Sequence, residues 1–175
     1  FYQTQCVAFK AQVFTVSMIK IGILSDTHGS VHPQIAELMN KCDFALHAGD
    51  IVDIKVLQKL NPKQSVVAVK GNNDAHLTSL EDIEVLELPG GKIVVEHGHK
   101  HGHEKPCHDS LRRAYPDAKA IIYGHTHKQV IDKKKTPWVI NPGAAGNTRN
   151  YDGAKCLTLT ITNQNDWNIE SHIFD

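Results

Sequence analysis

The sequence of 175 residues predicts an α/β fold in which two packed β-sheets are covered by helices on the outside. Two observations predict it. From Ile19 to the polar loop at Asn73, short apolar runs alternate with helix-period segments, as in a parallel sheet with crossover helices. After Asn73 the pattern changes to apolar–polar alternation broken by tight-turn residues, the signature of hairpins. The length fits a single domain with one core, expected over residues 18–175.

The elements follow in order. Ile19 to Ser25 is a β-branched apolar run ended by Asp26-Thr27-His28-Gly29 and suits a strand buried on both faces. "PQIAELMNKC" opens with Pro33 and places Ile35, Leu38 and Met39 at helical spacing. A second strand is expected over Phe44 to His47, a second helix in "VDIKVLQKL", and a third strand in "SVVAVKGNND". "IEVLELPGGKIVVEHG" alternates on both sides of Pro89-Gly90-Gly91 and predicts a hairpin. A helix is expected from about Lys105 to Tyr115, then the strand "AIIYGH" and further strands whose turns fall at "KKKTP" and "NQND". Residues 1–17 have neither the basic start nor the continuous apolar block of a signal peptide, and read as an extension or tail.

Composition narrows the function classes. Nineteen basic residues balance nineteen acidic ones, which gives no global footprint for nucleic acid or an anionic membrane, so an anionic substrate must be attracted locally. No apolar run approaches membrane-span length. Cys6, Cys42, Cys107 and Cys156 are scattered without a CxxC pair, which fits a reducing, cytoplasmic setting. The outlying number is twelve histidines, the commonest metal-ligating side chain.

Five of those histidines fall at strand ends, within "SDTHG", "HAGD", "EHG" and "YGHTH", alongside the fifth polar end, "KGNND". In α/β sheets a ligand site forms outside the carboxyl ends of the strands, so five distant segments converge there. Asp26 and His28 are two apart, as are His125 and His127; in an extended segment such pairs project to one side. Asp, His and Asn together offer oxygen and imidazole donors suited to first-row divalent metals. Two such ions, with Asp50 as the natural carboxylate between them, leave a net positive site that a phosphate ester would compensate and a metal-bound hydroxide would attack.

The ordered set Asp26-x-His28, Gly49-Asp50, Gly71-Asn72, His97-Gly98 and Gly124-His125-x-His127 resembles the calcineurin-like metallophosphoesterase superfamily, in particular its small bacterial and archaeal phosphodiesterases. The resemblance runs from about Met18 to "NPGA" at Asn141 to Ala144, with the tail strands fitting as well. It implies a four-layer αββα sandwich and a binuclear centre. Asp26, His28 and His127 would hold one ion, Asn72, His97 and His125 the other, and Asp50 would bridge them. Mn²⁺ is the expected ion, with Ni²⁺, Co²⁺, Fe²⁺ or Zn²⁺ as alternatives. Asp50, Asn72 and His99 are the candidate catalytic residues, and Asn73 and His99 the candidate contacts to a small phosphate-ester substrate. In "VVEHGHKHGH" this makes His97 the ligand and leaves His101 and His103 as loop residues.

Blander roles fit other histidines: His47, inside a strand pattern, as a hydrogen-bonded core residue, and His108 at the surface. Lys133 to Lys135 reads as a solvated hairpin tip, and "NPGA" as a tight turn bringing Asn141 or Gly143 near the site. Where many relatives carry a histidine after the Gly-Asn pair, this chain has Asn73, and an amide cannot serve as a general acid. A phosphodiesterase is therefore expected, with a phosphomonoesterase or a non-catalytic scaffold of the same fold, such as the retromer subunit of the superfamily, as alternatives. Composition leaves a homo-oligomer open.

Overall fold

A computed structural model describes residues 18–102 and 104–175. The expected extension at residues 1–17 and the loop role of His103 lie outside these described residues. The chain runs through β1 (Ile19–Leu24), α1 (Pro33–Asn40), β2 (Phe44–His47), α2 (Lys55–Gln58), β3 (Ser65–Ala68), β4 (Ile83–Leu88) and β5 (Gly91–Glu96). A 3₁₀ turn at His99–His101 follows, then α3 (His108–Ala114), β6 (Ala120–Ile122), β7 (Val130–Asp132), β8 (Trp138–Asn141), β9 (Ala154–Asn163) and β10 (Asp166–Phe174).

The strands form two five-stranded mixed sheets, ordered β10-β9-β1-β2-β3 and β4-β5-β6-β8-β7. In the first, β1, β2 and β3 are parallel while β9 and β10 are antiparallel. In the second, β5, β6 and β8 are parallel while β4 and β7 run against their neighbours. Strand alternation then builds the layers. Ile21, Ile23 and Leu46 of the first sheet meet Ile93, Val95 and Ile122 of the second in one buried cluster between the sheets. Leu24 and Ala45 point the other way, onto Ile35 and Met39 of α1 and Val56 of α2. Val94, Ile121 and Val139 point outward from the second sheet onto Leu111 of α3. The result is the expected αββα order, with each wholly buried aliphatic side chain contributing about 1.5–3 kcal/mol.

Two helices are shorter than their sequence windows. α2 is confined to Lys55–Gln58, because Ile51 to Asp53 are committed to a loop whose amides bond elsewhere. α3 begins at His108 rather than Lys105, since Pro106 disfavours a helical conformation at the residue before it and removes a backbone donor. His108 is partly exposed but not free at the surface: its ring lies 3.1 Å from Asp132 Oδ2 and 3.0 Å from the Tyr123 hydroxyl, tying α3 to the second sheet. Lys133 to Lys135 are exposed, as expected. Among the described residues no helix is long and apolar enough to cross a membrane.

Candidate metal centre

The carboxyl ends of the parallel strands of both sheets open on one side of the sandwich. Asp26 and His28 follow β1, Asp50 follows β2, Asn72 and Asn73 follow β3, His97 and His99 follow β5, and His125 and His127 follow β6. The i, i+2 pairs do not converge by strand alternation, as the sequence suggested. Asp26, His28, Asp50, His125 and His127 all have left-handed backbone, with φ of 54°, 45°, 56°, 72° and 58°. Such conformations in non-glycine residues cost on the order of 1–3 kcal/mol each and concentrate at functional sites, where the surroundings over-determine them. Here the loops turn back on themselves so that side chains face inward instead of following a strand.

Cross-bonds between loops impose those turns. Asp26 N–H donates to the Gly49 carbonyl at 3.0 Å, and His28 N–H to the Asp50 carbonyl at 3.0 Å. The His125 amide donates to both Asp26 carboxylate oxygens, at 3.2 and 3.1 Å. Asn141 Nδ2, at the end of β8, donates to the Gly124 carbonyl at 2.7 Å, which braces the loop after β6. Two motif glycines are required by space. A Cβ on Gly71 would lie 2.2 Å from Asp50 Oδ1, and one on Gly124 would lie 2.0 Å from Ser25 Oγ.

Two clusters of ligand-capable atoms result, each with members within 4.8 Å of one another: Asp26 with His28 and His127, and Asp26 with Asp50 and His97. In the first, His28 Nε2 and His127 Nε2 are 3.1 Å apart and His127 Nε2 is 3.4 Å from Asp26 Oδ1. His127 Nδ1 donates to the Arg149 carbonyl at 2.8 Å, which leaves Nε2 with its lone pair aimed at the cluster. In the second, His97 Nδ1 donates to the Ala48 carbonyl at 2.8 Å. His97 Nε2 is buried, 3.4 Å from Asp50 Oδ1, without a hydrogen-bond partner. An orphaned buried imidazole nitrogen is costly unless something else binds it, and a divalent ion suits both it and the facing carboxylate. The donor set therefore fits metal.

Asp26 belongs to both clusters, and Asp50, a member of the second, also reaches toward the first, with Oδ1 3.4 Å from His97 Nε2 and Oδ2 3.7 Å from His28 Nε2. Asn72 and His125 pair with each other, Asn72 Oδ1 lying 3.1 Å from His125 Nδ1, and the His125 ring, which belongs to neither cluster, packs edge-on to His97 with centroids 5.2 Å apart. His99 is half-buried against the same rings, 5.6 Å from His97 and 6.3 Å from His125, with its Nδ1 buried and unpartnered. Asn73 is occupied rather than free: its amide N–H and Nδ2 donate to Asp50 Oδ1 and Oδ2 at 3.0 and 2.7 Å. His101 is more than a loop residue, bonding to Ser110 Oγ at 2.8 Å and to the buried Glu96 at 3.2 Å.

The electrostatics follow from burying acids among imidazoles. Burial pushes the Asp26 carboxyl up, opposed by His97 and His127. Burial would raise Asp50 too, but the adjacent His97 and the two Asn73 donors outweigh it and hold the carboxyl well below the usual range. For His97 burial disfavours the cation, yet Asp50, Asp26 and the Ala48 carbonyl prevail and raise it. Burial lowers His28 and His99. His47, as expected, is a core residue: burial lowers it to about 3, and it bonds Thr27 Oγ1 at 3.0 Å.

Three contributors escaped the sequence reading. Asp74 is fully buried and accepts from Ile51 N at 3.0 Å, Val52 N at 2.7 Å and Gly71 N at 2.8 Å, fastening the Asp50 and Asn72 loops together. Its only signal was its position three residues after Gly71, where an Asp side chain can cap its own turn. Arg149 and Tyr151, on the loop after β8, adjoin His28 and His127 and carried no local signal.

Comparison with known proteins places this arrangement. Residues 19–164 match the calcineurin-like phosphoesterase superfamily domain. The chain belongs to that superfamily and is a metal-dependent phosphoesterase. A phosphodiesterase of Methanocaldococcus jannaschii is 31% identical over 144 residues, covering 71% of this chain and 83% of the relative. Among solved structures, an archaeal phosphodiesterase matches with a TM-score of 0.69 at 25% identity, over 88% of this chain and 100% of that one. Vps29 from Entamoeba histolytica, solved with Zn²⁺, has the same fold, with a TM-score of 0.69 at 20% identity over 90% of this chain and 100% of that one.

Proposed function

We propose that the chain hydrolyses phosphodiesters at a two-metal centre, with Asp26, His28 and His127 holding one divalent ion, Asn72, His97 and His125 the other, and Asp50 shared. The observation that carries this is the Asp50 carboxylate, whose two oxygens face different histidines, His97 at 3.4 Å and His28 at 3.7 Å. Mn²⁺ is the expected ion; the Zn²⁺ in the Entamoeba Vps29 structure leaves Zn²⁺ an alternative for this fold. When bound, such ions neutralise phosphate charge and activate a water nucleophile.

The chain's own groups do the rest. Asp50 balances the charge of the pair; its carboxylate is kept ionised chiefly by the adjacent His97 and is oriented by both Asn73 donors. The Asn72 carbonyl oxygen and the His125 ring, 3.1 Å apart, present donors from opposite loops. His99, whose basicity is lowered by burial and by His97, offers a ring nitrogen to a phosphoryl or leaving-group oxygen. Asn73 cannot donate a proton to a leaving group, so diesters with stable leaving groups, such as bis(4-nitrophenyl) phosphate, are the favoured class. The similarity to named phosphodiesterases supports the same class.

The test is a turnover panel of aryl diesters against alkyl and aryl monoesters, with Mn²⁺, Ni²⁺, Co²⁺, Zn²⁺ or Mg²⁺ added back to chelator-treated protein. Aryl diesters turning over fastest, and only with metal, is the expected result. Faster alkyl monoester hydrolysis would favour a phosphomonoesterase, and no turnover with any ion would favour a scaffold.

A further inference from the structure

The loop from Gly146 to Gly153 lies against the first cluster, and the hydrolytic chemistry above does not use its side chains. The Arg149 carbonyl fixes His127, while its exposed guanidinium sits 3.5 Å from His28 Nδ1. Among the described residues no carboxylate forms an ion pair with this guanidinium. Tyr151, 64% exposed, holds its ring 6.1 Å from that of His127. Arg149, Tyr151 and Asp152 all adopt left-handed backbone, with φ of 59°, 39° and 67°. The strain is held in place from below. Lys155 Nζ donates to the carbonyls of Asn150, Tyr151 and Gly153, and Asn150 Nδ2 donates to the Gly146 carbonyl at 3.0 Å.

The guanidinium donates one long hydrogen bond, to His28 Nδ1, and has no carboxylate ion pair among the described residues, so its charge is left for an anion held between it and the metal site. A phosphoryl group is such an anion, and the planar guanidinium matches its oxygens in pairs. An exposed tyrosine ring next to it offers a flat apolar face at little entropic cost. We propose that this loop is the substrate-recognition element: Arg149 holds a non-bridging phosphoryl oxygen, and Tyr151 packs on a planar ring of the ester. The substrate class is then a phosphate ester carrying an aryl or nucleobase-like group. The proposal rests on the hydrolytic reading above and narrows its substrate.

Phenylphosphonate and methylphosphonate share the anion, differ in the ring and are not hydrolysed. Calorimetric binding of each to the Mn²⁺-loaded wild type, Arg149→Ala, Arg149→Lys, Tyr151→Ala and Tyr151→Phe separates the two roles, with metal content measured on every sample. Arg149→Ala keeps the backbone carbonyl that orients His127, so metal content should hold while both ligands weaken by about tenfold or more. Arg149→Lys should recover part of that loss. The wild type should prefer the phenyl ligand by roughly fivefold, a preference kept by Tyr151→Phe and lost in Tyr151→Ala. Arg149→Ala binding both ligands within twofold of wild type, or Tyr151→Ala keeping the phenyl preference, overturns the proposal while metal content and diester turnover leave the hydrolytic reading intact. Absence of both metal and turnover in the wild type sinks that reading, and the recognition loop with it.

Discussion

Removing the Asp74 carboxylate should loosen the site and the fold together. Its two oxygens accept three backbone N–H groups, from Ile51, Val52 and Gly71, at 2.7–3.0 Å. Ile51 and Gly71 are buried, so in Asp74→Ala their donors lose a charged acceptor without gaining bulk water, whereas the exposed Val52 recovers hydration. Each hydrogen bond to a charged group is worth about 1.5–3 kcal/mol, so the two buried donors set a loss of about 3 kcal/mol at the lower bound. For a domain of this size that corresponds to a fall in Tm of about 6–12 °C. Asp74→Asn keeps one acceptor oxygen but turns an amide N–H₂ toward a donor, and should lose about 1–2 kcal/mol. The loops carrying Asp50 and Asn72 are the ones released, so metal affinity should fall in the same order. Urea unfolding of chelator-treated protein gives the stability term apart from metal, and metal titration gives the other. Unfolding of Asp74→Ala within 1 kcal/mol of wild type would refute the assignment of Asp74 as the fastener of these loops.

Three further outcomes follow from the same geometry. Gly71→Ala would set a methyl 2.2 Å from Asp50 Oδ1 and should abolish metal-dependent turnover, whereas Gly29→Ala, where a Cβ meets open space but φ is +91°, should cost only about 1 kcal/mol in stability and leave turnover in place. Asp132 is held at about 2, chiefly by Arg112 at 2.9 Å, against burial and with help from His108. A depressed carboxyl stabilises the fold above its unfolded pKa, so this contribution, about 1 kcal/mol after solvent screening, should be present above pH ~4 and lost as pH falls toward ~2, and Asp132→Asn should flatten that part of the acid unfolding curve. Asn73→His should raise turnover of alkyl diesters more than of bis(4-nitrophenyl) phosphate; equal losses on both would show that position 73 serves only to orient Asp50.

The layers of the fold were legible because their cause is local: Ile21, Ile23, Val95 and Ile122 sit in short apolar runs whose alternation is written in the chain. The convergence of strand ends was legible for the same reason, since each run stops at Asp, His, Asn or Gly. The way the side chains reach the site was not. Left-handed backbone at Asp26, His28 and His127 is imposed by bonds from other loops, such as His28 N–H to the Asp50 carbonyl, and leaves no mark in neighbouring residues. The bonds of His108 were not legible because its partners, Tyr123 and Asp132, lie in separate segments, after β6 and at the end of β7. Asp74 and Arg149 stayed hidden for the same reason: their work is done across 23 and 121 residues of sequence.

The central claim is that two ions share Asp50, and metal stoichiometry tests it most directly. Mn²⁺ titrated calorimetrically into chelator-treated protein, with bound metal checked by mass spectrometry, should give two sites in the wild type and one in His97→Ala. His101→Ala should retain both, because His101 bonds to Glu96 and Ser110 instead of facing the clusters. Asp50→Ala should lose both, since the carboxylate that offsets repulsion between the ions is gone. A single site in the wild type, or two sites surviving in Asp50→Ala, would contradict the account.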